Sequence, residues 1–106
     1  MKKKNLLDYL KKRKKSFFVR FETNLNLWSE RNYDKESDYF DFEDMIISRY
    51  WLFFLKEKNL LNSNELEKLE KLEQNLKKKG IINFVKKNYN YLYEKWIKTL
   101  EIKRGK

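Results

Sequence analysis

The chain has no proline and only two glycines among its 106 residues, and this shortage of helix-breaking residues most limits what it can fold into. Proline ends or kinks a helix and glycine weakens its interior, so long helices are permitted almost everywhere. The pairs Asn-Gly, Asp-Gly and Pro-Gly, which favour tight β-hairpins, do not occur. The sequence therefore predicts an all-α fold.

The spacing of apolar residues predicts a compact bundle of about four helices in one domain spanning residues 1–106. The expected helices cover about residues 6–31, 42–58, 64–79 and 82–103. In the first helix, a stretch that is polar on all sides separates Leu10 from Phe17. We therefore expect a protruding basic N-terminus. The second helix is apolar around most of its circumference, which predicts the most buried position.

Short local signals predict where these helices begin and end. Asn62 followed by Glu65 resembles a capping box at the start of the third helix. Gly80 follows three lysines and predicts a left-handed stop. Asp41 is the expected N-cap of the second helix. Apolar residues at steps of three and four over residues 82–103 predict one continuous helix, antiparallel to the third.

The residue types that most often carry catalysis are missing, because the chain has no histidine and no cysteine. It therefore lacks the commonest general acid–base group, the most reactive nucleophile and any cysteine-based metal site. Asp34, Glu36 and Asp38 alternate as in a calcium loop, but Tyr39 occupies the position that requires glycine. We expect a protein that is not an enzyme and that binds no cofactor and no metal.

No apolar stretch has the length of a signal peptide or of a transmembrane helix. The longest apolar run, residues 50–55, has six residues, whereas a membrane span needs about 20. The absence of cysteine also fits a reducing compartment. We expect no transmembrane segment and a cytoplasmic location.

Positive charge is concentrated at both ends of the chain, with an acidic segment between them. Residues 1–16 carry eight basic side chains and one acidic one, and residues 77–106 carry ten and two. Residues 34–44 carry six acidic side chains and one lysine. The chain has 21 lysines and no alanine or proline, a composition expected of a low-GC genome, and we expect codon bias to contribute part of the net charge of +10. The uneven layout still indicates a polyanionic partner.

The leading hypothesis is a non-catalytic module that binds RNA or DNA, alone or within a ribonucleoprotein complex. Lysines contact phosphates, and a tyrosine ring stacks on a base. The chain has only five arginines, which limits bidentate base recognition and favours sequence-tolerant binding. The candidate residues are Lys11, Lys12, Arg13, Lys14, Lys15, Lys86, Lys87 and Tyr91.

The alternative hypothesis is a mobile-element inhibitor of a host defence nuclease, similar in kind to an anti-CRISPR protein, that acts by protein–protein binding. In this case the acidic, aromatic segment is the contact surface and occupies the basic groove of the nuclease. A weaker third possibility is peripheral binding to anionic lipid through the basic segments. The candidate interface residues are Tyr33, Asp34, Glu36, Asp38, Tyr39 and Phe40.

Overall fold

The computed structural model describes residues 3–28 and 39–103, with side chains for residues 6–27 and 39–101. It confirms the all-α prediction, because these residues form helices with no strand among them. Within this described part, no helix is long and apolar enough to cross a membrane. The helices are α1 (Lys3–Trp28), α2 (Tyr39–Glu57), α3 (Ser63–Lys78), α4 (Ile81–Asn88), α5 (Asn90–Leu92) and α6 (Lys98–Lys103), with a π-helical turn (Tyr93–Ile97) between α5 and α6.

Helix α1 lies flat on the core, so the prediction of a protruding basic N-terminus is wrong for the described residues. Leu10, just before the basic stretch, is only 1% exposed, and Leu6 packs against the same core. The apolar stripe resumes with Phe17 and Phe21, both of which are buried. Because the rigid helix is anchored on both sides of the basic stretch, most of the lysines lie along its solvent side.

Helix α2 is the central element and packs against α1 and against the π-helical turn. Its buried side chains include Phe42, Ile46 and Leu52. Most of its other side chains are partly buried, in agreement with its apolar sequence. The helix begins three residues earlier than predicted. Asp41 therefore lies in its first turn, and the prediction of Asp41 as the N-cap is wrong.

The local signals predicted at the two ends of α3 are both confirmed. The Asn62 side chain accepts a hydrogen bond from the Glu65 amide at 2.8 Å, and the Asn62 amide donates to the Glu65 carboxylate at 2.9 Å. These two bonds form the predicted capping box. At the other end, Gly80 adopts a left-handed φ of 71°, as expected for a helix stop.

The predicted helix 82–103 is interrupted at Tyr89, so the prediction of one continuous helix is wrong. Tyr89 has φ −134° and ψ 61°, outside the helical region, and its amide donates to the Val85 carbonyl at 2.7 Å as α4 ends. Its buried ring packs edge-on against Tyr39 at 5.4 Å between centroids and lies at 5.3 Å from Phe42. Burial of this ring in an aromatic cluster stabilises the break.

The π-helical turn corrects the register of the apolar residues that follow the break. Leu92, Ile97 and Leu100 are buried, whereas Trp96 is only partly buried. The step from Leu92 to Ile97 is five residues, which an i to i+5 turn brings onto one face. This turn therefore keeps Leu92, Ile97 and Leu100 on the side of the chain that faces the core.

Candidate nucleic-acid interface

A basic groove lies between α1 and the first turns of α3, and we call it the α1–α3 groove. It has a volume of about 440 Å³. Lys11, Lys12 and Lys15 line it from α1 and are exposed, and Lys68 lines it from α3. The structure therefore brings together three of the lysines predicted as phosphate contacts and adds a fourth from another helix.

Lys14 also lines the groove, but its ammonium group contacts other groups of the protein. Its ammonium lies 3.0 Å from the Glu65 carboxylate and donates to the Leu60 carbonyl at 3.2 Å. These contacts tie α1 to the start of α3. The prediction of Lys14 as a phosphate ligand stays untested, but the structure gives this residue a different partner.

The ionised form of Glu65 is favoured by its surroundings. Burial alone raises the pKa of this carboxyl, but the hydrogen bond from the Asn62 amide and the neighbouring Lys14 ammonium outweigh burial. The pKa of Glu65 is therefore below its ordinary value. At neutral pH the Lys14–Glu65 contact is a true ion pair, which holds the two helices at the groove.

The floor of the groove is apolar and its far side carries Lys68. Phe18 and Val19 form part of the floor, and Val19 is 52% exposed. The Lys68 ammonium lies over the Phe18 ring at 5.6 Å and is 3.3 Å from the Glu22 carboxylate. A concave site with an apolar lining and exposed ammonium groups suits a polymeric ligand whose charged groups are separated by apolar ones.

Arg13 projects to another side of α1, because its guanidinium lies over the Tyr9 ring at 5.0 Å. It is not among the residues that line the α1–α3 groove. This prediction grouped Arg13 with its sequence neighbours, whereas helical geometry rotates adjacent residues by about 100°. The basic stretch is thus divided between two faces.

The candidate nucleic-acid-binding residues on α4 and α5 lie on a separate surface. Lys86 and Lys87 are exposed on α4, and Tyr91 is 61% exposed on α5. The Lys95 ammonium donates to the Tyr91 hydroxyl at 3.1 Å and lies over its ring at 5.5 Å. None of these residues lines the α1–α3 groove. The two predicted basic surfaces are therefore not one continuous site in the described part of the chain.

The predicted protein interface falls mostly outside the described residues, since Tyr33, Asp34, Glu36 and Asp38 lie in the gap between residues 28 and 39. In the described part, no group of three or more acidic side chains is arranged to hold a metal ion. The remaining two interface residues, Tyr39 and Phe40, lie at the start of α2.

Tyr39 and Phe40 differ sharply in exposure. The Tyr39 ring is partly buried and packs edge-on against Phe40 and Tyr89. Burial raises the pKa of its phenol, and the Glu43 carboxylate raises it further. Phe40 is 72% exposed, so it is available to a partner, whereas Tyr39 mainly supports the aromatic cluster.

Sequence reasoning missed Lys68 as a site residue because it lies in a helix with mixed charges and no lysine cluster nearby. Only the packing of α1 against α3 brings it to the groove that Lys15 also lines. No local signal in the sequence indicates Lys68, because its place in the groove depends on tertiary packing. The capping box at Asn62 indicated where α3 starts, but not which helix that start lies against.

Comparison with known proteins finds no match: no protein-family model fits the chain, and no curated protein or solved structure is significantly similar to it.

Proposed function

We propose that this chain is a non-catalytic module that binds the phosphate backbone of RNA or DNA, with or without a ribonucleoprotein partner, in the α1–α3 groove. The observation that carries the proposal is the convergence of Lys11, Lys12 and Lys15 from α1 with Lys68 from α3 around one concave space. Phosphate contacts of this kind supply affinity and release condensed counterions.

The arrangement suits a repeating anion. Lys11 and Lys15 are four residues apart, so they lie about 6 Å from each other along the axis of α1. They therefore present successive charges on one side of a rigid helix. Ammonium groups act as point charges without a fixed fork, which favours phosphate contact over recognition of base edges. The expected binding is tolerant of sequence.

Codon bias does not account for this placement. A low-GC genome raises the number of lysines, but it does not direct them from two helices into one groove. The Lys14–Glu65 ion pair further holds the walls of that groove together at neutral pH. Placement, and not the net charge of +10, supports the proposal.

The proposal is tested by fluorescence anisotropy with a labelled oligouridine and a labelled DNA duplex over a range of salt concentrations. Each phosphate contact contributes about −0.7 on single strands and about −0.9 on duplex DNA to the slope of log affinity against log salt. Replacement of Lys11, Lys12 and Lys15 by glutamine should make the slope less negative by about 2 to 3 units.

A matched variant controls for net charge. Lys71, Lys78 and Lys98 are exposed on α3 and α6 and do not line the groove. Their joint replacement by glutamine removes the same charge and should change the slope by less than one phosphate contact. If the chain binds neither ligand at low salt, or if both triple variants lose affinity equally, the α1–α3 groove is not the binding site.

A second candidate function, the inhibition of a host defence nuclease by protein–protein binding, is favoured by one observation. Phe40 exposes 72% of its surface next to the acidic residues of α2, and exposed aromatic side chains are enriched at protein interfaces. This inhibitor hypothesis predicts that the chain forms a stable complex with a host nuclease. A complex that survives neutralisation of Asp34, Glu36 and Asp38 would exclude the acidic segment as its contact.

A further inference from the structure

A second groove, between α1 and α2, has a different chemistry from the basic one, and we call it the α1–α2 groove. Its volume is about 430 Å³, within the range of about 300–1,000 Å³ that is typical of ligand sites. The groove is lined by the carboxylates of Glu43 and Asp44, by the guanidinium of Arg20, and by four aromatic side chains, Tyr9, Phe17, Phe40 and Trp51. Aromatic faces and carboxylates both attract cations.

The aromatic side of this groove combines exposed rings with a supported one. Tyr9 and Phe40 are among the most exposed large apolar side chains of the described residues. Trp51 is held in place by edge-on contacts with Tyr50 at 5.1 Å and with Phe54 at 5.6 Å. Trp51 is eleven residues from Phe40 on α2, about 16.5 Å along the helix axis, so these two rings lie far apart along the groove.

The two carboxylates of the groove, Asp44 and Glu43, differ in their contacts with neighbouring side chains. Asp44 lies 3.8 Å from the Arg20 guanidinium and accepts a hydrogen bond from the Asn24 side chain at 3.4 Å. Glu43 is partly exposed and lines the groove beside it. Since Arg20 offsets the charge of Asp44, the carboxylate of Glu43 leaves the groove with a net negative charge.

The chain itself shows that this surface accommodates guanidinium groups. Arg13 lies over Tyr9 at 5.0 Å, and Arg20 lies beside Asp44. A guanidinium stacks on a ring and pairs with a carboxylate at the same time, whereas an ammonium is more strongly hydrated. Phe40 and Glu43, which are neighbours one turn apart on α2, offer a ring and a carboxylate in the same groove.

We propose that the α1–α2 groove binds an arginine side chain of a partner protein near Phe40, with the guanidinium against the Phe40 ring and paired with the carboxylate of Glu43, one helical turn away on α2. This site does not depend on nucleic-acid binding in the α1–α3 groove. The net charge of +10 repels a cationic partner at long range, and salt screens that repulsion as well as the local attraction. Arginine binding should therefore depend only weakly on salt, in contrast to nucleic-acid binding.

The test is a titration of the ¹⁵N-labelled chain with two peptides, acetyl-Gly-Arg-Gly-amide and its citrulline counterpart, followed by NMR. Citrulline has nearly the shape of arginine but no charge. The arginine peptide should cause saturable shifts of the Phe40, Glu43 and Ile47 amides. The citrulline peptide should bind about tenfold more weakly, because it lacks the cation–π and ionic attraction.

Two variants and one control locate the site. Phe40→Ala and Glu43→Gln should each weaken arginine-peptide binding by about fivefold or more. Both side chains have part of their surface in solvent, so neither change removes a core residue. Glu70→Gln removes the same charge from an exposed position of α3 and should leave binding unchanged. Equal binding of the citrulline peptide, or unchanged binding by both site variants, overturns the proposal.

Discussion

At the scale of single residues, the ion pair between Arg49 and Glu73 joins α2 to α3 through two buried side chains. The Arg49 Nε donates to Glu73 Oε1 at 2.7 Å and Nη2 donates to Oε2 at 2.6 Å. Both side chains are buried, with Arg49 only 1% exposed. Among the described residues, Arg49 Nη1 has no hydrogen-bond partner, and the Glu73 carboxylate binds the other two nitrogens of this buried guanidinium.

We predict that Glu73→Leu lowers the free energy of unfolding by about 3–5 kcal/mol, because it leaves the buried Arg49 guanidinium without this carboxylate. Arg49→Met should cost less, because the Glu73 carboxylate keeps the Lys77 ammonium at 3.8 Å. The double variant should be more stable than either single variant, since it removes both charges. Urea denaturation of all four proteins measures this double-mutant cycle.

The exposed pair Glu67 and Lys71, 4.0 Å apart on α3, is the matched control. The same cycle at this pair should give a coupling of less than about 0.5 kcal/mol, as is usual for exposed helical ion pairs. Additive effects at Arg49 and Glu73 would contradict the account of that pair.

Glu65 makes stability depend on pH in acid. Because its pKa is lower in the folded chain than in the unfolded one, the unfolded chain takes up the proton first as the pH falls. The stabilisation is complete above the ordinary glutamate pKa of about 4.3 and is lost as the pH falls through the lower folded value. Glu65→Gln should abolish this part of the acid dependence, measured by urea denaturation between pH 7 and pH 3.

Glutamine is a suitable replacement here because it preserves the capping box with Asn62. Lys14→Gln removes the other charge of the pair and should reduce the same acid dependence. If the stability of Glu65→Gln falls with acid as steeply as that of the unmodified chain, Glu65 does not contribute to it.

At the scale of elements, helices with local signals were predicted well and the last helical part was not. The capping box at Asn62 and the stop at Gly80 are short-range features, so the sequence reveals them. The break at Tyr89 depends on contacts with Tyr39 and Phe42, which lie about 50 residues away in sequence. Apolar residues at steps of three and four predicted an unbroken helix. The helix is broken because tertiary packing overrides local periodicity at Tyr89.

The stop at Gly80 gives an element-scale prediction. Its φ is 71°, and a Cβ at this position meets no heavy atom within 4 Å. Gly80→Ala should therefore cost only the backbone strain of a left-handed residue, about 1 kcal/mol. Gly80→Asn should cost less, because asparagine tolerates this region, as Asn59 does with φ 59°.

Chemical denaturation of both variants measures the difference. If Gly80→Ala is as stable as the unmodified chain, the left-handed stop is not needed to join α3 and α4. A loss of several kcal/mol would instead indicate a clash that the open space around Gly80 does not predict.

At the scale of the whole molecule, the charge layout of the sequence becomes two grooves that share α1 and differ in chemistry. One is lined by lysines from α1 and α3, and the other by aromatic rings and carboxylates from α1 and α2. The sequence identified the lysines of the first groove. It could not separate Arg13 from Lys12 and Lys15, or add Lys68, because only helix packing decides which residues share a face.

The most direct test of the proposed function is NMR mapping of the ¹⁵N-labelled chain with an unlabelled oligouridine. We expect shifts concentrated in residues 11–19 of α1 and in residues 62–68 at the start of α3. Shifts confined to Lys86, Lys87 and Tyr91 would place nucleic acid on the other basic surface. That result, or the absence of any shift at low salt, would contradict the α1–α3 groove as the binding site.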